Sequence, residues 1–86
     1  MSEKLKYVRL RSYDEVIVFP MTIEHSNFKD LNPVSAGFCY IDKNDVKCFG
    51  RSFSLNLDSM EDDSFMATKQ IHGWEKAFEL KEKTTE

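Results

Sequence analysis

Residues 34–57 read VSAGFCYIDKNDVKCFGRSFSLNL, and they contain the clearest structural signal of the chain. Two runs rich in β-branched and aromatic residues flank DKND, which is a four-residue turn signal. Folding the chain about this turn brings like residues together along the two strands, as cross-strand packing favours. The predicted pairs are Ile41 with Val46, Cys39 with Cys48, Phe38 with Phe49, Gly37 with Gly50, Ser35 with Ser52 and Val34 with Phe53.

The alternation of side chains gives this hairpin two different faces. The first is made of small residues, which let another element approach closely, so we expect a helix over it. The second is aromatic and forms either a second core layer or an exposed binding surface. The first face holds Ser35, Gly37, Cys39, Ile41, Val46, Cys48, Gly50 and Ser52, and the second holds Val34, Ala36, Phe38, Tyr40, Phe49 and Phe53, edged by Lys47 and Arg51.

A second hairpin is predicted within residues 7–19. YVRLR alternates between apolar and polar residues, VIVF is rich in β-branched residues, and SYDE between them is turn-like. We expect Leu10 to lie opposite Ile17 and Val8 opposite Phe19, which places all four side chains on one face.

A C-terminal helix is predicted to begin at Asp58, because Asp58 and Glu61 form a capping box. Between the two hairpins, residues 22–31 form either a short helix or a loop, which Asn32 and Pro33 end. The apolar stripe that would pack the C-terminal helix on the sheet consists of Met60, Ser64, Ala67, Ile71, Trp74 and Phe78, with Phe65 at its edge.

The expected fold is therefore α+β. It has a small, mainly antiparallel four-stranded sheet of two hairpins, a short helix or loop between them, and a C-terminal helix packed on one face. Strand order is left open. A chain of 86 residues with 41% apolar residues can build one core, so residues 1–80 are expected to form a single domain. Residues 81–86, KEKTTE, have the composition of a charged, frayed tail.

The charge and hydropathy of the chain exclude some classes of protein. A net charge of −3 disfavours a general nucleic-acid-binding protein, because neutralising phosphates needs a positive balance. MSEKLKYVRLRSYDE lacks the apolar run of a signal peptide, and no stretch approaches the ~20 apolar residues of a membrane span. We expect a cytoplasmic protein, without a membrane partner, whose two cysteines stay reduced.

The polar and nucleophilic residues match no catalytic or metal-binding pattern. GRSFS differs from a nucleophile elbow because Ser54 replaces its second glycine and Ser52 lies within a strand. We therefore predict no catalytic residue, no cofactor and no metal site, and a protein that is not an enzyme. No zinc signature matches the spacing of the two cysteines and two histidines, which are His25, Cys39, Cys48 and His72.

The stretch KCFGRSF partly resembles the aromatic strand motif of RNA-recognition and cold-shock domains. Lys47, Phe49 and Gly50 match that motif, whereas Cys48 and Arg51 replace a glycine and an aromatic residue. The resemblance implies an alternative function, the binding of single-stranded nucleic acid by stacking of bases on the aromatic sheet face.

A wider resemblance covers most of residues 16–74. The segments PVSAGFCYI and CFGRSFSLNLDS, followed by a helix ending in a glycine and an aromatic residue, resemble a group of small uncharacterised phage and prophage proteins. This resemblance implies a neighbourhood of mobile elements, in which small acidic proteins often bind and block a host protein, and it implies no activity. The positions that belong to the shared motif are His25, Ser35, Gly37, Phe38, Cys48, Gly50, Ser52 and Ser54.

The function predicted from these observations is that of a small non-enzymatic protein-interaction module, either a phage-type accessory protein or an inhibitor of a host protein. Aromatic residues and arginine are the usual anchors of such surfaces. The partner is an unidentified protein or a second copy of the chain in a homodimer. The predicted binding face consists of Phe38, Tyr40, Lys47, Phe49, Arg51 and Phe53.

Overall fold

A computed structural model describes residues 3–12, 15–43 and 45–73 of the chain. Two predicted features lie outside these residues: the part of the helical stripe formed by Trp74 and Phe78, and the tail 81–86. The elements in chain order are β1 (Lys4–Leu10), β2 (Val16–Phe19), a 3₁₀ helix (His25–Leu31), β3 (Pro33–Ile41), β4 (Val46–Phe49), β5 (Arg51–Ser52), β6 (Leu57–Asp58) and α1 (Asp63–His72).

The four long strands form one antiparallel sheet in the order β2-β1-β3-β4. This confirms the predicted α+β fold, with two hairpins, a short helix between them and a C-terminal helix against the sheet. The strand order, which the sequence left open, places β1 and β3 at the centre because the 3₁₀ helix carries the chain from β2 back to the other side of β1.

The register predicted for the β3–β4 hairpin is confirmed as far as Phe49. Cys39 pairs with Cys48, and Phe38 pairs with Phe49. The prediction that this strand continues to residue 57 is wrong, because the backbone turns at Gly50, whose φ is +77°. β5 pairs with β6 instead of β3, so the predicted pairs beyond Phe49 are not part of the ladder.

The register predicted for the β1–β2 hairpin is wrong by two residues. Val8 lies opposite Ile17 rather than Phe19. The turn comes earlier because the Leu10 N–H bonds the carbonyl of Glu15 at 2.7 Å, while the Arg11 N–H bonds the carbonyl of Asn32 beside β3. A shift of two residues preserves the face of every side chain, so the four apolar residues still share one cluster.

The predicted start and stripe of the C-terminal helix are also wrong in part. Asp58 belongs to β6, and α1 begins at Asp63 with Asp62 as its N-cap residue. Ala67 of the predicted stripe is buried, whereas Met60 and Ile71 are exposed. The helix is rotated about its axis because the carboxylate of Asp63 points into the protein. Its buried side chains are Asp63, Met66, Ala67 and Thr68.

Polar side chains of α1 cover the outer backbone of both edge strands. Thr68 Oγ1 accepts a hydrogen bond from the Val46 N–H at 2.9 Å, and Ser64 Oγ accepts one from the Cys48 N–H at 2.8 Å. At the other edge, the Gln70 side chain bonds both backbone groups of Val16. One helix therefore reaches both edges, and its side chains shield these edge groups from further strands.

The two faces of the sheet carry separate clusters of buried side chains. The first cluster lies between the sheet and α1, on the face of small residues, as the sequence predicted. The second lies on the aromatic face, beneath the 3₁₀ helix and the β5–β6 hairpin, and covers only part of that face. The first contains Tyr7, Val16, Cys39, Val46, Met66 and Ala67, and the second contains Val8, Leu10, Phe19 and Ala36, packed against Ile17, Ile23, Phe28, Leu55 and Leu57.

Candidate binding surface

The uncovered half of the aromatic face presents three neighbouring rings. Tyr40 stacks on Phe49, with ring centroids 5.4 Å apart and an interplanar angle of 17°. Phe38 lies on the other side of Phe49, 6.0 Å away. Tyr40 and Phe49 are each 37% exposed. The sheet therefore offers solvent a contiguous aromatic surface along the paired part of β3 and β4.

Lysines surround these rings. Tyr40 pairs with Lys4 on β1 and with Lys47 on β4, so it lies between the two. The Lys4 ammonium is 4.5 Å above the centroid of the Phe38 ring. Lys6, the third lysine of this face, is largely buried, and its ammonium bonds the carbonyl of Ile23 at 2.9 Å.

Every charged residue that β1 to β4 place on this face is a lysine. We name the exposed part the aromatic–lysine face. It consists of Lys4, Phe38, Tyr40, Lys47 and Phe49.

His25 joins this exposed surface to the core beneath it. Its ring packs edge-on against Phe38, 5.7 Å away, and against Phe19, 5.5 Å away. Its Nε2 lies 2.8 Å from the carbonyl oxygen of Gly37, and this bond requires Nε2 to carry a hydrogen and donate. Burial, with a smaller contribution from Lys6, lowers the pKa of His25 below its ordinary value of 6.5. The side chain is thus a neutral donor that fastens the 3₁₀ helix to β3.

The structure separates two of the predicted surface residues from the other four. Arg51 and Phe53 lie on the β5–β6 hairpin, beyond the turn at Gly50. The Arg51 guanidinium contacts Asn56 Oδ1 at 2.7 Å and Asp58 Oδ1 at 3.4 Å, and it lies 5.2 Å above the Phe53 ring. Phe53 is 84% exposed. The six residues therefore form two patches, the aromatic–lysine face and the tip of the hairpin.

A buried polar cluster on the opposite face was missed by sequence reasoning. Asp63 is fully buried and accepts hydrogen bonds from Tyr7, Ser35 and Arg9, the last with an Nη1–Oδ1 distance of 3.0 Å. Burial and the Asp63 carboxylate raise the pKa of Tyr7. The sequence shows YVRLR as a half-exposed strand, and only the strand order brings Tyr7 and Arg9 under α1. The cluster joins β1, β3 and α1, which gives it a structural role.

The residues considered for nucleophilic or metal chemistry have other contacts. Ser52 Oγ is buried, accepts the Leu55 N–H at 3.2 Å and lies 3.3 Å from Ser54 Oγ. Cys39 and Cys48 face each other beneath α1 as free thiols, and burial raises the pKa of Cys39 to about 11 and also raises that of Cys48. Among the described residues, no group of three or more His, Cys, Asp or Glu side chains could hold a metal ion.

Comparison with protein-family models, curated proteins and solved structures finds no match to this chain. Within the described residues, no helix is both long enough and apolar enough to cross a bilayer. We therefore infer what the aromatic–lysine face can bind from its own residues.

Proposed function

We propose that this protein is a small non-enzymatic protein-interaction module that binds its partner through the aromatic–lysine face. The observation that carries this proposal is the contiguous group of three rings, the half-buried Phe38 and the exposed Phe49 and Tyr40, on a face that the 3₁₀ helix and the β5–β6 hairpin cover only in part. Exposed rings held in place by their neighbours are typical anchors of protein interfaces, because they contribute contact area at little cost in conformational entropy.

The edges of the sheet support binding across its face. α1 side chains already bond the outward backbone groups of Val16, Val46 and Cys48. A partner that added a strand at these positions would have to displace those bonds. Docking on the open face requires no such change.

The resemblance to phage and prophage proteins supports a more specific role. In that setting the module is a phage-type accessory protein or an inhibitor that covers a functional surface of a host protein. The motif position that belongs to the aromatic–lysine face is Phe38, and the motif histidine, His25, packs beneath it. In one variant of this proposal the partner is a second copy of the chain, and the two copies associate through the same face.

Single-stranded nucleic acid is the second candidate partner. The two exposed lysines, Lys4 and Lys47, favour it because they flank Tyr40. Proteins that stack bases on aromatic rings also place cations beside those rings to bind the phosphates. The acidic balance of the chain opposes it.

The test is a quantitative capture from a bacterial host lysate with four baits: the wild-type protein, Phe49→Ser, Lys47→Glu and Arg11→Glu. Arg11 is exposed at the far end of β1, about 20 Å along the strand from Lys4, and it controls for charge reversal as such. Circular dichroism establishes that each bait is folded.

We expect one captured protein to be lost from the Phe49→Ser and Lys47→Glu baits and retained by Arg11→Glu. A captured protein that binds all four baits equally would contradict the proposed surface. Light scattering on the same four proteins tests the homodimer, because dimerisation through this face should also be lost in the first two variants only.

A further inference from the structure

The charge of the aromatic–lysine face identifies the chemistry of its partner. We propose that the partner segment is acidic: a stretch of another protein in which Asp or Glu side chains pair with Lys4 and Lys47 on either side of an apolar side chain seated on the rings. This inference rests on the proposed function, since it names what that surface binds.

The first step is the contrast between this face and the whole chain. The chain carries 15 acidic and 12 basic residues, yet all the charged residues that the four strands place on this face are lysines. Lys6 is engaged with Ile23 and Glu24, so Lys4 and Lys47 are the exposed ammonium groups. They lie two strand spacings apart, about 10 Å, with Tyr40 between them. Two carboxylates flanking one apolar residue match this arrangement.

The second step is the orientation of the rings. One face of Phe38 holds the Lys4 ammonium, and Phe49 lies between Tyr40 and Phe38. Base stacking needs a free ring face, and these contacts take one face of Phe38 and one face of Phe49. Pairing of Lys4 and Lys47 with carboxylates needs no free ring face. The arrangement therefore favours acidic side chains over a nucleobase.

The third step concerns a second copy of the chain. A symmetric dimer through this face would bring the Lys4 and Lys47 side chains of two chains into one interface. Like charges facing each other oppose association, and the face carries no acid to pair with them. A segment of opposite charge meets no such repulsion.

The experiment uses the full chain labelled with ¹⁵N and three probes at low salt: a short peptide in which single glycines separate Glu, Phe and Glu so that the three side chains share one side, the same peptide with Gln for every Glu, and oligothymidylate. We expect the acidic peptide to shift the amide signals of Lys4, Tyr40 and Lys47 saturably. Its affinity should fall about tenfold in the double variant Lys4→Glu/Lys47→Glu, because each exposed ion pair contributes up to ~1 kcal/mol. Arg11→Glu should leave its affinity unchanged.

Equal binding of the Glu and Gln peptides would overturn the inference, as would the absence of binding by the acidic peptide. Binding of oligothymidylate alone would overturn it in favour of the nucleic-acid candidate. The capture experiment, with Lys4→Glu/Lys47→Glu added as a fifth bait, separates this failure from that of the proposed function. If a host protein is lost with Phe49→Ser but is bound equally by the wild type and by Lys4→Glu/Lys47→Glu, the protein-binding surface stands and only its acidic partner is overturned.

Discussion

The two faces of the four-stranded sheet bury their side chains in different ways. On one face β3 and β4 carry small residues, so α1 approaches closely enough for its own polar groups to bond the strands. On the other face the same two strands carry the large rings of Phe38, Tyr40 and Phe49, and the 3₁₀ helix and the β5–β6 hairpin cover only part of that face. Small side chains allow a helix to pack close to the strands. Large rings keep the covering elements farther away, and part of their apolar surface stays exposed to solvent.

The two faces of the sheet therefore have different roles. The helix-covered face contains the buried charge of Asp63 and contributes mainly to stability. The opposite face contains the exposed rings and the lysines of the proposed binding surface. Substitutions on the first face should therefore change the free energy of unfolding, and substitutions on the open part of the second should change binding.

The largest effect is expected from Asp63→Ala. Removing this carboxylate leaves the guanidinium of Arg9 in the interior without its buried counter-charge, and it also removes the acceptor of Tyr7 and Ser35. Breaking a buried pair in this way costs about 3–5 kcal/mol, a large share of the stability of a small domain. Urea unfolding followed by circular dichroism measures it.

The control is Asp62→Asn, because Asp62 contacts the same guanidinium at 2.7 Å but its side chain is 55% exposed. This change should cost about 1 kcal/mol or less. Equal losses for the two variants would show that the helix-covered face does not hold a distinct buried charge.

The second effect is expected from Gly37→Ala in β3, next to the point where the β3–β4 ladder ends. A Cβ at this position would overlap the carbonyl oxygen of Phe49 and lie 3.3 Å from the carbonyl carbon of Gly50. Both obstacles are backbone atoms, so the strands must move, at a cost of about 3 kcal/mol.

Gly50→Ala is the matched comparison. Its Cβ would meet only the ring of Phe38, which can shift, and the positive φ costs about 1–2 kcal/mol. Urea midpoints give both values, and a smaller loss for Gly37→Ala than for Gly50→Ala would contradict the close approach of backbone at Gly37.

A smaller effect is the pH dependence that His25 contributes. Its pKa is lowered in the folded protein, so the unfolded chain binds the proton first as the pH falls. The contribution is fully present above about pH 6.5 and is lost as the pH decreases from 6.5 towards the lowered pKa. The carboxyl of Asp62, whose pKa Arg9 lowers from 3.8, titrates below this window.

We expect His25→Gln, which can still donate a hydrogen bond to Gly37, to flatten the stability profile between pH 6.5 and 5, because it carries no titrating group. Urea unfolding over this range measures the slope, and His72→Gln is the control for the other histidine of the chain. An unchanged slope in His25→Gln would contradict the burial of a neutral ring between Phe19 and Phe38.

The smallest effect on stability is expected from Phe53→Ser at the tip of the hairpin. This ring is 84% exposed and contacts Arg51, so its removal should change the free energy of unfolding by about 0.5 kcal/mol or less. Thermal unfolding checks this value. The same variant in the capture experiment distinguishes the two patches, because loss of the partner with Phe53→Ser but not with Phe49→Ser would move the binding surface to the hairpin tip.

Particular residues show how far the sequence could be interpreted. The pairing of Cys39 with Cys48 was predictable because a short turn fixes the register of the strands that follow it. The pairing of Val8 with Ile17 was not, because Arg11 bonds Asn32, a residue outside the hairpin. The aromatic–lysine face was predicted in four of its residues, whereas Lys4 joined it only through the β1–β3 pairing.

Local residue patterns specified three features: the alternation within each strand, the β3–β4 turn and the face of small residues that accepts a helix. The other features depend on residues that are distant in the chain and meet only in the folded protein. Arg9 draws Asp63 inward and sets the rotation of α1, and the backbone turn at Gly50, whose φ is +77°, ends the β3–β4 ladder after Phe49. The strand order then decides which aromatic residues are covered and which remain exposed. Hydrophobic periodicity specifies the direction of each side chain, but only packing between distant segments specifies what that side chain meets.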